Sequence, residues 1–230
     1  MEFLPNGYTL EIGEGAFPLS TDSVVLAHFT HLPKNAQVLD LGSGCGTLGL
    51  LLCAKDPSCT VTGLEISPAA HGCAEENIRR NSLTTRLHSI CTDLRELPVE
   101  FHGRMHCCVS NPPYFSGGPA SKATPTARRD DTCTPEELFR TAGKALRYGG
   151  DFFLVHKPEK LAQLIVCGAA NGMEAKNLTL LRHKEGGPIA LILLQLRKGG
   201  KPGLIIEEAS LFHNNEPTAF YKSVYHILED

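Results

Sequence analysis

The sequence has no apolar run approaching the length a membrane span needs, and Met1–Pro5 shows no basic segment leading into an apolar one. Neither a spanning helix nor a secretory signal is expected, and the protein is expected to stay in the cytosol. None of its nine cysteines are spaced C-x-x-C, which argues against a zinc ribbon. Their odd number and the adjacent pair Cys107–Cys108 point instead to reduced thiols that pack as small hydrophobes. Among the histidines, His28, His31 and His71 fall on expected helices at no shared ligand spacing, so no metal is expected. Low-complexity segments and internal repeats are also missing. Positive charge is not in excess either: 22 basic against 25 acidic residues give a net charge of −3. That counts against a broadly basic nucleic-acid surface and leaves room only for local concentrations of charge.

What is present is enough chain for one substantial core, 230 residues with 42% hydrophobic and 20% charged. From Val38 to Val155 short apolar strands alternate with amphipathic helices, the pattern of a mostly parallel sheet covered on both faces. The strands are expected at Val38–Leu41, Thr60–Glu65, Arg86–Cys91, Met105–Ser110, Asp151–Val155, Asn177–Leu181 and Ala190–Leu196. An apolar helix should follow the first strand through Leu52, and Ser67 should cap another that runs to about Asn81. Thr134-Pro135-Glu136-Glu137 should open a further helix, with Gly149-Gly150 ending it. A long polar loop is expected between Phe115 and Cys133. The chain reads as a single domain: residues 36–230 form the core, and residues 1–35 add a short hairpin (Tyr8–Ile12, then Gly13 and Gly15) and a helix from Thr21 or Asp22.

The first chemical signal is Asp40-Leu41-Gly42-Ser43-Gly44-Cys45-Gly46. Glycines let a chain turn sharply from strand to helix and approach a ligand without a clashing Cβ. Asp40, just before them, suits a cationic amino-acid group better than a pyrophosphate. Glu65 closes the second strand, where a carboxylate can accept both hydroxyls of a ribose. The second signal is Ser110-Asn111-Pro112-Pro113-Tyr114, directly after the fourth strand, where ligands of parallel sheets bind. An amine on an aromatic ring or acyl carbon is a poor nucleophile because its lone pair is delocalised. Asn111 can accept one of its hydrogens through the side-chain oxygen, and the Pro112 carbonyl can accept the other. Two such acceptors hold the nitrogen in line for attack, which is positioning and electrostatic catalysis. Tyr114 offers a ring on which a planar base can stack, worth about 1–3 kcal/mol.

The D-x-G-x-G-x-G arrangement resembles motif I of class I methyltransferases, which implies a Rossmann-like α/β fold with a seven-stranded, mostly parallel sheet and S-adenosyl-L-methionine as cofactor. On that resemblance Gly42, Gly44 and Gly46 line the methionine and ribose portions, Glu65 binds the ribose, and Asp93 receives the adenine amine. Ile66 and Leu94, beside those acids, are counted with them. Asn-Pro-Pro-Tyr serves adenine N6, guanine N2 of ribosomal RNA and the glutamine of release factors in the enzymes it resembles, so protein-glutamine or rRNA base N-methylation is the alternative. The glutamine enzymes usually carry a helical domain ahead of motif I, and the guanine enzymes often a duplicated one; neither is expected here.

Nearly end to end, the chain resembles the bacterial family that methylates N6 of the adenine next to the anticodon of a valine tRNA. Ser20-Thr21-Asp22-Ser23 matches a segment that borders the cofactor there, adding Thr21 and Asp22 to the expected cofactor contacts, and Asn111 of the Asn-Pro-Pro-Tyr turn is counted with them. Ala127-Arg128-Arg129-Asp130, Val155-His156-Lys157-Pro158-Glu159-Lys160-Leu161 and Gly199-Gly200-Lys201-Pro202-Gly203 carry the rest, with Arg129 and Asp130 departing from the family's His-Glu pair. The implied partner is tRNA. Pro113, Phe115, Arg128, Arg129, Lys198 and Lys201 are the expected substrate contacts, the two lysines because Lys176–Lys201 holds six basic residues against the single acid Glu185.

Overall fold

The computed structural model describes residues 2–4, 7–12, 19–112 and 133–226. Nine strands form one sheet among these residues: β1 (Gln37–Leu41), β2 (Thr60–Glu65), β3 (Leu87–Cys91), β4 (Met105–Ser110), β5 (Leu146–His156), β6 (Met173–Lys184), β7 (Ile189–Lys198), β8 (Ile205–His213) and β9 (Glu216–Pro217). Their spatial order is β9-β8-β6-β7-β5-β4-β1-β2-β3. β7 runs antiparallel to β5 and β6, and β9 antiparallel to β8; every other pairing is parallel. The central strands β1, β4 and β7 are largely apolar because both faces of the sheet are covered there. Val38, Cys107, Phe153 and Leu193 point to one core, and their neighbours Leu39, Cys108, Phe152 and Ile192 to the other. The adjacent cysteines thus serve opposite faces.

The first core packs under α1 (Thr21–Phe29) and α2 (Thr47–Lys55), the second under α4 (Pro135–Ala145) and α5 (Leu161–Ala170). Helix α3 (Pro68–Arg80) begins at Ser67, whose hydroxyl accepts the Ala70 amide, and α4 opens at Thr134, both as expected; Thr134 and Glu137 there also form a reciprocal capping box. A last short helix, α6, spans Ala219–Val224. No helix among the described residues is long and apolar enough to cross a membrane.

Three expectations need correction. Gly149 and Gly150 do not end α4, which stops at Ala145; they lie within β5. Leu146 opposes Met105 and Asp151 opposes Cys107, so β5 bulges between these pairs. Gly149 takes φ +78°, and a Cβ on Gly150 would stand 3.0 Å from the carbonyls of both Met105 and His106. The sheet also exceeds seven strands. β8 gives no strand signal in the sequence, because Ile205-Ile206-Glu207-Glu208 runs in doublets without the period-two alternation of a half-buried strand, and β9 is only two residues long. Finally, Thr9–Leu10 pairs with the preceding Glu2–Phe3, while Gly13 and Gly15 lie outside the described residues. That segment is held onto α3 by two asparagines one turn apart. Asn77 exchanges two hydrogen bonds with Glu11, and Asn81 two with Thr9.

Candidate active site

Where β1 ends, the chain turns through Gly42, Gly44 and Gly46 at φ +77°, +56° and +84°, conformations open to glycine at little cost. The amides of Gly42 and Ser43 both donate to the Leu64 carbonyl, at 3.0 and 3.1 Å, anchoring the turn on β2. A Cβ on Gly42 or Gly44 would meet nothing within 4 Å, so the turn faces open space. Behind it the fit is tight. A Cβ on Gly63 would lie 2.5 Å from the Ser43 hydroxyl, and the Asn77 amide donates to the Cys45 carbonyl at 3.0 Å.

The acids meet this turn in different ways. One Glu65 oxygen accepts the Gly44 amide and the other the Ser67 amide, both at 2.8 Å, tying the turn to the start of α3. Asp40 is 1% exposed, and neither of its oxygens has a hydrogen-bond partner among the described residues. Burial, with the Glu65 charge adding, pushes its carboxyl up to about 8. A buried acceptor without donors, beside a glycine turn that faces open space, fits a ligand that brings a cationic or hydrogen-bonding group. The residues therefore fit the expected cofactor.

Asp93 follows β3 but is engaged by a residue that sequence reasoning missed. Arg95 donates to both its oxygens, through Nε at 2.9 and 2.8 Å and Nη2 at 2.5 Å, and holds the carboxyl below its ordinary range. Leu94 opens the short turn that Asp93 caps, and Ile66, 46% exposed, leaves apolar surface uncovered just after β2.

Asn111 leaves the end of β4, where the Ser110 hydroxyl donates to the Leu41 carbonyl at 2.8 Å. Its side-chain amide donates to Ser23 of α1 at 2.9 Å, and Pro112 beside it is buried. Thr21 and Asp22 precede Ser23 directly, in the same first turn of α1. Thr21 accepts a long 3.4 Å bond from Tyr225, and burial raises the Asp22 carboxyl against the opposing charge of Lys157. The ends of β1, β2 and β4 and the start of α1 thus carry most of the expected cofactor and amine contacts. Pro113, Tyr114, Phe115, Arg128 and Arg129 lie outside the described residues.

Lys198 and Lys201 are not brought to this place. Arg197 opposes Asp151 and Lys198 opposes Met173, so both lysines lie at the end of the sheet where the parallel strands begin. Lys198 donates to the carbonyls of Gly143 and Leu146 at 2.6 and 2.7 Å, completing the C-terminus of α4. Its charge is engaged within the fold. Lys198→Ala is expected to lower unfolding free energy by about 1–2 kcal/mol, read from the denaturant midpoint.

The sequence profile of the methyltransferase small domain family matches residues 20–167. A tRNA1(Val) (adenine(37)-N6)-methyltransferase of Bacteroides fragilis is 31% identical over 177 residues, covering 75% of this chain and 74% of that protein. One of the same name from Photobacterium profundum is 26% identical over 216 residues, 90% of this chain and 89% of its own. In fold, the chain is similar to the crystal structure of a predicted O-methyltransferase, protein Atu636 from Agrobacterium tumefaciens. The TM-score is 0.75 at 19% identity, covering 90% of this chain and 96% of that one.

Proposed function

The chain belongs to the methyltransferase small domain family, together with its tRNA1(Val) (adenine(37)-N6)-methyltransferase relatives, and on that footing we propose that it methylates the N6 amine of an adenine in tRNA, in the anticodon loop of a valine tRNA. S-Adenosylmethionine, when bound, would supply a sulfonium methyl group and leave as the neutral thioether, keeping the electron pair of the broken S–C bond; the amine nitrogen gains the methyl carbon and then loses a proton to water.

The observation that carries this reading is the Asn111 amide. Its nitrogen is already committed to Ser23, which leaves the oxygen to accept a hydrogen from the substrate amine. With the Pro112 carbonyl as second acceptor, this arrangement orients an amine without any acid–base group. Gly42, Gly44 and Gly46 would let the cofactor approach the backbone, Asp40 would pair with its cationic end, and Glu65 and Asp93 would accept from its ribose and adenine. Arg95 must then share Asp93 with the adenine or turn away. Tyr114 is assigned to stacking on the flipped base and Arg128 and Arg129 to phosphate, in keeping with their types. A tRNA substrate puts the enzyme in the cytoplasm.

Transfer of labelled methyl from S-adenosylmethionine to bulk bacterial tRNA, followed by nucleoside analysis, tests the reading. Label recovered as N6-methyladenosine is the expected result. Label absent from tRNA, with the cofactor demonstrably bound, would overturn the assigned substrate.

A further inference from the structure

A primary amide has two ends of similar shape and opposite hydrogen-bonding character, and only its oxygen can receive a hydrogen from an amine. The reverse orientation would set the Asn111 NH2 against the hydrogens of the substrate, donor against donor. Whatever holds the nitrogen end therefore decides whether the residue works. In this structure that group is the Ser23 hydroxyl, at 2.9 Å.

Ser23 is well placed for the task. It is 7% exposed, in the first turn of α1, and its own amide is taken by the cap residue Ser20. The helix around it is pinned at its far end. The Lys55 ammonium donates to the carbonyls of Ala27, His28 and Thr30 at 3.0, 2.6 and 2.8 Å. Phe29 meets Phe153 of β5 edge to face, with centroids 5.9 Å apart, which holds the helix on the sheet. A hydroxyl on so fixed a helix gives Asn111 an anchor independent of the turn in which it stands.

We propose that Ser23 is a positioning residue for methyl transfer, holding the Asn111 amide by its nitrogen so that its oxygen faces the substrate amine. This rests on the function proposed above. Ser23 touches neither reacting atom; it acts only through Asn111.

The test is a double-mutant cycle on the full-length enzyme with tRNA and S-adenosylmethionine. Ser23→Ala is expected to lower kcat by about 10- to 100-fold, the scale of a misplaced catalytic group. The cofactor dissociation constant, KM for tRNA and melting temperature should stay essentially at wild-type values. Ser23→Thr, which keeps the hydroxyl, should recover most of the loss. In an Asn111→Ala background, Ser23→Ala should cost less than about twofold, because the group it orients is gone. Full kcat in Ser23→Ala, or the same loss in both backgrounds, would overturn the proposal. So would a fall in cofactor affinity or melting temperature matching the fall in kcat, which would mark a structural role. Failure of the underlying reading looks different: Asn111→Ala would itself turn over normally, or no N6-methyladenosine would form with the wild type.

Discussion

Asn111→Ala is expected to bind S-adenosylmethionine within about twofold of wild type and to turn over about two to three powers of ten more slowly. The two readouts separate because the other groups assigned to the cofactor, which carry most of its contacts, are held without Asn111. The glycine turn hangs on the Leu64 carbonyl, Glu65 on the Gly44 and Ser67 amides, and Asp40 is enclosed by the core. Asn111 itself contributes a side-chain oxygen at the open end of β4. The demand on that oxygen grows as the amine nitrogen becomes pyramidal and its hydrogens more acidic, so the contact strengthens toward the transition state. Loss of such a contact lowers kcat and kcat/KM together while leaving KM almost unchanged. Single-turnover methylation of tRNA with saturating enzyme measures the chemical step directly. A variant that methylates at the wild-type rate would remove Asn111 from the mechanism.

The parts of this site that could be read from the sequence are those whose chemistry is local. Asp40 and the three glycines lie within seven residues, Asn111 and Pro112 are adjacent, and Ser67 and Thr134 announce their helices by the residues that follow. The β2 and β4 boundaries were legible because apolar runs end there in a polar or proline-bearing turn. What could not be read depends on contacts between distant segments. Ser23 and Asn111 are 88 residues apart, and nothing near either one signals the other. Gly63 looks like an ordinary strand residue until Ser43 is seen against it. Lys198 looked like part of a basic patch because charge spacing says nothing about which end of a strand a residue occupies. An antiparallel β7 carries it away from the cleft and onto the end of α4. The β5 bulge is hidden in the sequence for a related reason. A glycine pair is the signature of a helix stop, and only the packing of Gly150 against β4 distinguishes the two uses.

Asp40 couples stability and binding to pH, and the expected effects have opposite signs. In the free protein its carboxyl is pushed up to about 8 by burial and by Glu65, against an ordinary value of 3.8. Between those two values the folded chain holds a proton that the unfolded chain has released. Stability should therefore be greatest below about pH 4 as far as this group is concerned, and fall as pH rises toward 8. The full difference, roughly four units, corresponds to on the order of 5 kcal/mol. Asp40→Asn cannot ionise. Denaturant unfolding without cofactor should find the variant more stable than wild type by several kcal/mol at pH 8, and the two similar near pH 4. Binding should run the other way. A cationic group placed against Asp40 favours the ionised form, so cofactor binding expels the proton. Wild-type affinity should then rise up to tenfold per pH unit between about pH 5.5 and 7.5, with proton release visible by calorimetry in buffers of different ionisation enthalpy. Asp40→Asn should lose this slope and bind about two powers of ten more weakly at pH 8, having lost the charge that pairs with the ligand. Affinity independent of pH in the wild type, with Asp40→Asn binding equally well, would mean that this carboxyl does not face the cofactor. Its burial would then be a cost to stability that binding does not offset.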